Sequence, residues 1–423
     1  MKIATLSIGD ELLWGEVVDT NAGTIARALV DMGLTVARHL AVGDREEEIV
    51  AALRLLAGEH GVVIVSGGLG PTADDLTARA AARAAGQRLV LNETALTHLR
   101  TFHGKLHDPQ RPDCDKQALL PAKAAIIPNR WGTACGFRLE IDGSSCFFLP
   151  GVPAEMAPML RETVLPALRE LAPAAAFLRT KVLTVFGPAE PEVDRLLAGV
   201  TEPFAGVSLA FCVDFPEIQV KLRAAGKHGP TVEQTLAQAA AEVRRRLGEV
   251  VVAEDGETLD TAVASLLRER GTTLALAESC TGGLVAQRLT AIPGSSAYFL
   301  AGFVTYADHA KESLLGVPGE ILAAHGAVSG EVAKALARGA RTRAGSDLAL
   351  AVTGIAGPDG GTPDKPVGTV YLALADRTGC WVKRYRFAGS RGEIRALTAC
   401  TALDWLRRHL RHPGQSRAAE AGP

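Results

Sequence analysis

The first half of the chain alternates short apolar runs with stretches in which apolar residues recur at helical spacing. KIATLSI (2–8) reads as a strand. Asp19 or Thr20 then caps a helix built on Ala22, Ile25, Ala26, Leu29 and Val30, which Gly33 ends. LTVARHLAV is a second strand. Asp44, with Glu47 three residues on, has the form of a capping box for a helix through Ile49, Leu53 and Leu56. VVIVSGG is apolar enough for a strand covered on both faces, and an alanine-rich helix to Ala85 follows LGPTADD. This β-α-β-α-β-α order predicts an α/β fold with a doubly wound, mostly parallel sheet. Ligands of such sheets sit beyond the carboxyl ends of the strands, where GDELLWG and SGGLGPTADD fall.

Past residue 133 the pattern becomes a hairpin, FRLEI and CFFLP, then a helix opened by Pro153. APAAA (172–176) marks a boundary. A small α+β unit follows: strand KVLTVFG, helix PEVDRLLAGV, strands near VSLAFCV and EIQVKLRAA, a helix over 231–247 and strand EVVVAE. A third, α/β unit starts at Thr258, with strands TLALAES, AGFVTYA, DLALAVTG, GTVYLALAD and WVKRYRFAG. Its helices are LDTAVASLLRERG, GGLVAQRLTAI, 329–344 and 391–410. The expected domains are therefore 1–171, 177–255 and 258–412, with a frayed tail over 413–423.

The 423 residues are too many for one ordinary core, and 47% hydrophobic content supplies several. A formal charge of −2 argues against a dedicated nucleic-acid or membrane-surface protein. No apolar run approaches the roughly 18 residues needed to span a bilayer. The start MKIATLSIGDELL meets acids too early for a signal peptide. Seven cysteines, scattered singly at Cys114, Cys135, Cys146, Cys212, Cys280, Cys380 and Cys400, fit reduced thiols and a cytoplasmic location.

AESCTGG places Ser279 and Thr281 where an apolar strand turns into a helix, beside amides at the positive end of the helix dipole. Gly282 and Gly283 let a ligand approach the backbone, so the turn suits a phosphate or a developing oxyanion. A serine there needs a base to become a nucleophile. His309 and His325 lie in ordinary polar segments. Lys311 is the better candidate, provided desolvation or a nearby cation favours its neutral amine. Ser295 and Ser296 of PGSS, Thr353 and Gly354 of VTGIAGPDGG, and Arg391 as an anion clamp complete the set. Each has a bland counterpart: a plain strand–helix turn, a solvated lysine, serine caps, an arginine at a helix start.

AESCTGGLVAQRLTAIPGSSAYFLAGFVTYADHAKESLLGV, VTGIAGPDGG, KPVGTVYLAL and GSRGEIR together resemble the C-terminal domain of the competence/damage-inducible CinA family, the nicotinamide-nucleotide amidohydrolase domain, over about residues 258–412. The resemblance implies hydrolysis of nicotinamide mononucleotide to nicotinic acid mononucleotide and ammonia, without cofactor. Ser279, Ser296, Tyr306, Lys311, Thr353 and Arg391 would line the site, with Thr281, Gly282, Gly283 and Gly354 around the substrate. Ser279 is favoured as nucleophile with Lys311 as base, and Ser296 is the alternative nucleophile or a proton relay. Tyr306 would orient the lysine or the pyridine ring, and Arg391 would bind the phosphate.

In the N-terminal unit Asp10 and Glu11 follow the first strand, Asp19 and Asn21 lie just beyond, and Asp74 and Asp75 follow the glycine loop. Carboxylates converging on one sheet edge could hold a hard divalent cation beside phosphates cradled by SGGLGPT. Equally, Asp19 could be an N-cap, and Asp74 and Asp75 could serve a helix dipole. GDELLWGEVVDTN, VIVSGGLGPTADDLT, PNRWGTACG and LPGVPAEM resemble the molybdopterin-binding (MoaB/MogA-like) domain in its CinA variety, over about residues 1–170. The resemblance implies an ADP-ribose pyrophosphatase that needs a divalent metal (Co, Mg or Mn), often with potassium, and yields AMP and ribose 5-phosphate. Asp10, Glu11, Asp74 and Asp75 would bind the metal, and Asn21, Gly67, Gly68 and Thr72 the substrate. Cys135 stands where GTACG usually has proline, and Asp115 where asparagine usually precedes KQA.

His103 and His107 have a helical metal spacing but lack a third ligand. GKHG (226–229) fits the GxxG of RNA-binding KH modules, and the CinA resemblance implies a KH-like middle domain; following a strand, the loop suits a spacer or dimerisation role better. The combined expectation is a two-site pyridine-nucleotide salvage enzyme whose partners are small molecules and a second copy of itself (a homodimer), with neither membrane nor nucleic acid. The alternatives are a degenerate N-terminal module, a non-enzymatic competence or DNA-repair adaptor, and a molybdopterin-binding protein.

Overall fold

KIATLSI and VVIVSGG become strands with every residue buried, β1 (Ile3–Ile8) and β3 (Val62–Ser66), because helices cover both their faces. The computed structural model describes residues 1–105, 112–172 and 177–412. The tail expected from 413 and most of the boundary at 172–176 lie outside these residues, as does His107, which takes the His103–His107 pairing with it. The described residues divide into two compact units, those of 1–179 with 224–233 and those of 180–223 with 234–412.

In the first unit β2 (Val36–Val42), β4 (Ala125–Ile127), β5 (Gly136–Ile141) and β6 (Ser144–Leu149) complete a sheet of order β2-β1-β3-β6-β5-β4. The contacts β1–β2, β1–β3 and β3–β6 are parallel, and the β6–β5–β4 edge is antiparallel. Strand alternation sorts the core. Ile3, Ile64 and Phe147 meet Ile25 and Leu29 of α1 (Thr20–Asp31). Leu6, Val63 and Val65 meet Leu53 and Leu56 of α2 (Glu46–Glu59) and Ala80 and Ala81 of α3 (Thr77–Ala84). Asp19 caps α1, accepting from the Ala22 N–H at 2.9 Å. The capping box expected at Asp44 does not form: Arg45 occupies the cap position without a side-chain bond. The Asp44 carboxylate accepts from the Asp10 N–H at 2.9 Å instead.

A four-stranded sheet of order β8-β9-β7-β10 follows, from β7 (Phe177–Val185), β8 (Val207–Asp214), β9 (Glu217–Gly226) and β10 (Val251–Glu254). GKHG joins β9 to α4 (Gly229–Leu247), a strand to a helix, unlike the helix–helix loop of RNA-binding KH modules.

The last sheet comprises β11 (Leu274–Glu278), β12 (Phe299–Val304), β13 (Leu348–Gly354), β14 (Thr369–Ala375) and β15 (Cys380–Arg386), ordered β12-β11-β13-β14-β15. β12, β11 and β13 run parallel, while β14 and β15 add antiparallel. Leu274 and Leu276 pack on α5 (Leu259–Glu269), α6 (Leu284–Thr290) and α9 (Arg391–Arg411). Ala275 and Ala277 face the other layer, where α7 (Asp308–Leu315) and α8 (Gly330–Ala344) lie. Among the described residues no helix is long and apolar enough to cross a membrane. Cys135, Cys146, Cys212, Cys280, Cys380 and Cys400 are free thiols.

Arg288 of α6 donates to Asp260 Oδ1 at 2.7 Å and approaches Glu217 Oε1 at 3.9 Å. Burial pushes the Glu217 carboxyl above its ordinary range; Arg288 opposes this and Asp260 and Asp214 reinforce it. A carboxyl raised in the fold contributes stability that is complete below its unfolded value and is lost as pH rises through its folded value. Glu217→Gln therefore raises the Tm at pH 7 relative to the parent. Melting curves should show that gain vanish near about pH 4.

Candidate functional site

Ser279 follows β11 directly. It is 8% exposed and its N–H donates to the Val352 carbonyl at 3.0 Å. Continuing the strand's alternation puts it on the Ala275–Ala277 face, the one that α7 covers. On the neighbouring strand the Thr305 N–H donates to the Glu278 carbonyl at 2.8 Å, so Tyr306 leaves β12 beside the Ser279 turn. Lys311, one turn into α7, is only 1% exposed. Its Nζ donates to the Tyr306 carbonyl at 3.0 Å and to Asp308 Oδ1 at 3.1 Å, not to Ser279. The Tyr306 ring turns outward, and its hydroxyl accepts from Arg391 at 2.7 Å. Another Arg391 nitrogen donates to the Gly357 carbonyl at 2.7 Å. Lys311, Tyr306 and Arg391 thus form one connected set at the exit of the strand adjoining Ser279. Thr353, next after the residue that anchors Ser279, donates to the Ala327 carbonyl at 2.8 Å, and Gly354 follows it.

Two expectations fail here. The first amides of α6 are not open to an anion. Glu278, itself 1% exposed, accepts from the N–H groups of Gly283 at 3.0 Å, Val285 at 3.1 Å and Ala286 at 2.8 Å. A buried carboxylate already fills the place foreseen for phosphate or oxyanion. Ser296 is not brought to Ser279 and Lys311. It sits in a short turn (Ser295–Ala297) that feeds the start of β12, whereas Ser279 follows the end of parallel β11. Five strand residues separate those two ends, roughly 16 Å.

The structure adds residues that the sequence reading passed over. Arg395 donates to the Thr281 carbonyl at 2.7 Å and so braces the turn. The hydroxyls of Thr281 and Thr305 are buried without a hydrogen-bond partner, which marks polar groups left for a ligand. A sequence signal existed for Glu278: it is the one charge ending an otherwise apolar run, LALAE.

In the first unit, the strand ends and the GGLG turn surround a cavity of about 500 Å³. Gly67 adopts φ 108°, and a Cβ there would run into the Ile8 carbonyl, so only glycine lets the turn close over β1. Gly68 follows at φ 65° and also lines the cavity. Asp10 and Asp44 are joined reciprocally, Asp10 N–H to Asp44 Oδ2 at 2.9 Å and Asp44 N–H to Asp10 Oδ1 at 3.2 Å. Burial raises the Asp44 carboxyl, and the charges of Asp10, Glu11 and Asp74 raise it further. These four acids share one neighbourhood. Asp75 does not face it freely: its Oδ2 accepts from the Thr72 N–H at 2.9 Å and the Thr72 hydroxyl at 2.5 Å. Among the described residues no three acidic, histidine or cysteine side chains stand close enough to hold an ion, so the expected Asp10, Glu11, Asp74 and Asp75 set is not formed. Asn21 Nδ2 donates to the Gly151 carbonyl at 2.7 Å, leaving its buried Oδ1 without a partner.

Three family descriptions match the chain: a probable molybdopterin binding domain at residues 4–170, the damage-inducible protein CinA KH domain at 180–253, and the CinA C-terminal domain at 256–410. A CinA-like protein of Geobacter sulfurreducens is 62% identical over 97% of this chain and 99% of its own length. The chain belongs to the CinA family. A CinA-like protein of Geotalea uraniireducens is 60% identical over 97% of this chain and 98% of its own. A solved CinA superfamily structure from Klebsiella pneumoniae is 40% identical, covers 36% of this chain and 96% of its own, and has a TM-score of 0.36.

Neither departure from the usual CinA pattern lines the 500 Å³ cavity itself, but Cys135 lines an adjoining one of about 370 Å³ that shares Gly68, Leu69, Gly70 and Asp75 with it. Cys135 is buried in the apolar core with Phe137 and Ala134, and burial pushes its thiol up to about 11. Asp115 is exposed.

Proposed function

We propose that the C-terminal unit hydrolyses the carboxamide of nicotinamide mononucleotide. The observation that carries this reading is the buried Lys311 amine, fixed at the edge of the sheet on the same face as Ser279, with Tyr306 and Arg391 at its rim. In this reading the Lys311 ammonium first passes its proton through Asp308 to solvent, and the neutral amine then takes the Ser279 hydroxyl proton as the oxygen attacks the amide carbon. The proton then passes to the departing nitrogen, ammonia leaves, and water hydrolyses the resulting ester. Arg391 supplies two guanidinium nitrogens for the phosphate once they release Tyr306 and Gly357. Ammonia release from the full chain, followed with nicotinamide mononucleotide and with nicotinamide as competitor substrate, tests it. Turnover of the nucleotide alone is expected; its absence would remove the reading.

We propose further that the first unit cleaves ADP-ribose, on the strength of the 500 Å³ cavity that joins the glycine turn to an acidic wall. Glu11, Asp44, Asp74 and Asp75 line it but do not stand close enough together to hold an ion by themselves, so a hard divalent cation would be held jointly by one or two of them and the pyrophosphate oxygens. Such an ion, when bound, would neutralise pyrophosphate charge; the chain's own part is to present the backbone N–H groups of Gly68–Gly70, the Gly67 N–H being held by the Leu149 carbonyl. EDTA should abolish AMP formation from ADP-ribose and leave ammonia release unchanged. AMP formation persisting in EDTA contradicts the metal assignment.

A further inference from the structure

WVKRYRF breaks its own pattern. Alternation along β15 places Trp381, Lys383, Tyr385 and Phe387 on the face toward α9, so a lysine interrupts an aromatic series. The reason is a second cavity, of about 440 Å³, between β15, the lower half of α9 and Phe186. Tyr385 and Phe387 stack beside it, ring centroids 5.7 Å apart and 8° from parallel. Trp405 of α9 lines it at 4% exposure, and its Nε1 has no hydrogen-bond partner. Lys383 Nζ lies 5.0 Å from the centre of the Trp405 ring, and among the described residues no carboxylate pairs with it.

The charge lining the cavity is positive. Asp404 is its one acid, and both of its oxygens are engaged: Oδ1 by Arg407 at 2.7 and 2.9 Å, Oδ2 by Arg408 Nε at 2.7 Å. Lys383 and the remaining nitrogens of Arg408 are left to face a ligand. The site is separate from the one at Ser279. Arg391 and Trp405 stand 14 residues apart on one helix, about 21 Å.

We infer that this cavity binds a planar aromatic ring bearing an acidic group, a carboxylate or a phosphate. The ring lies against Trp405 and Tyr385, the acid meets Lys383 and Arg408, and Trp405 Nε1 donates to a ring or linker atom. The volume suits a ligand of mononucleotide size. Burial and the nearby Arg408 push the Lys383 ammonium below its ordinary value, against the opposing charge of Asp404, and a bound anion would relieve that cost.

The test is titration calorimetry on the full chain with nicotinate and AMP as anionic probes and nicotinamide and adenosine as their uncharged counterparts. At least one anion should bind, at least about tenfold more tightly than its uncharged partner. Lys383→Met should weaken that binding at least about tenfold, and Trp405→Phe, which keeps an aromatic ring of smaller area and removes the N–H, by several-fold. Both variants should retain the parent's circular dichroism, and Lys383→Met its turnover of nicotinamide mononucleotide. Nicotinate binding alone assigns a carboxylate ligand, and AMP binding a phosphate; either supports the site. No binding by either anion, or an affinity unchanged in both variants, overturns it.

Discussion

Lys311→Met stops ammonia release from nicotinamide mononucleotide, lowering kcat by about 10³-fold or more, while the chain stays folded. Methionine keeps the buried stem of the side chain, so the packing of α7 survives; the amine and its bonds to the Tyr306 carbonyl and Asp308 are lost. Both lost partners lie at an exposed rim, Tyr306 and Asp308 being open to solvent, so water can replace the amine there. Ser279→Ala should give an equal loss, and the double variant should be no slower than either single one, because groups that act as a unit are not additive. Unchanged circular dichroism with lost turnover is the expected pair of results. A variant that keeps most of its kcat removes the lysine from the chemistry.

Glu278→Ala has the largest expected effect on stability, a loss of about 3 kcal/mol or more. The carboxylate satisfies three amides at the start of α6 from a buried position at the end of β11. Alanine leaves those donors without partners and opens a cavity beneath the turn that carries Ser279 and Thr281. Glu278→Gln keeps the volume and one accepting oxygen, so its loss should be smaller. Urea unfolding of the full chain measures both. Equal stability of Glu278→Ala and the parent contradicts this role. The same experiment bears on function, since a loosened turn should lower the rate of ammonia release well below the fraction of chain that unfolds.

Periodicity was enough to place most of the scaffold. The wholly apolar run VVIVSGG could only be a strand covered on both faces, and Ala22, Ile25 and Leu29 could only be one stripe of a helix. The helix that carries Lys311 was not legible in the same way. DHAKESLL is short and polar, and its hold on the domain comes from two buried side chains, Leu315 under the sheet and Lys311. The site residues divided along the same line. Tyr306 links Lys311 and Arg391, its carbonyl accepting from the lysine and its hydroxyl from the arginine, a connection that the motif spacing does not show. Ser296 shared the motif but not the place, because the helix between PGSS and AESCTGG returns the chain to the opposite end of the sheet. Asp44 shows the converse. Its spacing to Glu47 imitates a helix cap, yet the Asp10 amide across the strand ends captures its carboxylate. Sequence spacing reports what a side chain can reach along the chain; it says nothing of a donor that arrives from a neighbouring strand.

The account rests on Ser279 carrying the acyl group. Rapid acid quench of the full chain during its first turnover of nicotinamide mononucleotide, followed by peptide mapping, locates that group directly. The prediction is an ester on the peptide containing Ser279, formed as one ammonia per chain is released. An ester on the peptide containing Ser296, or a first turnover in which ammonia and free acid appear together with no ester on any peptide, contradicts it.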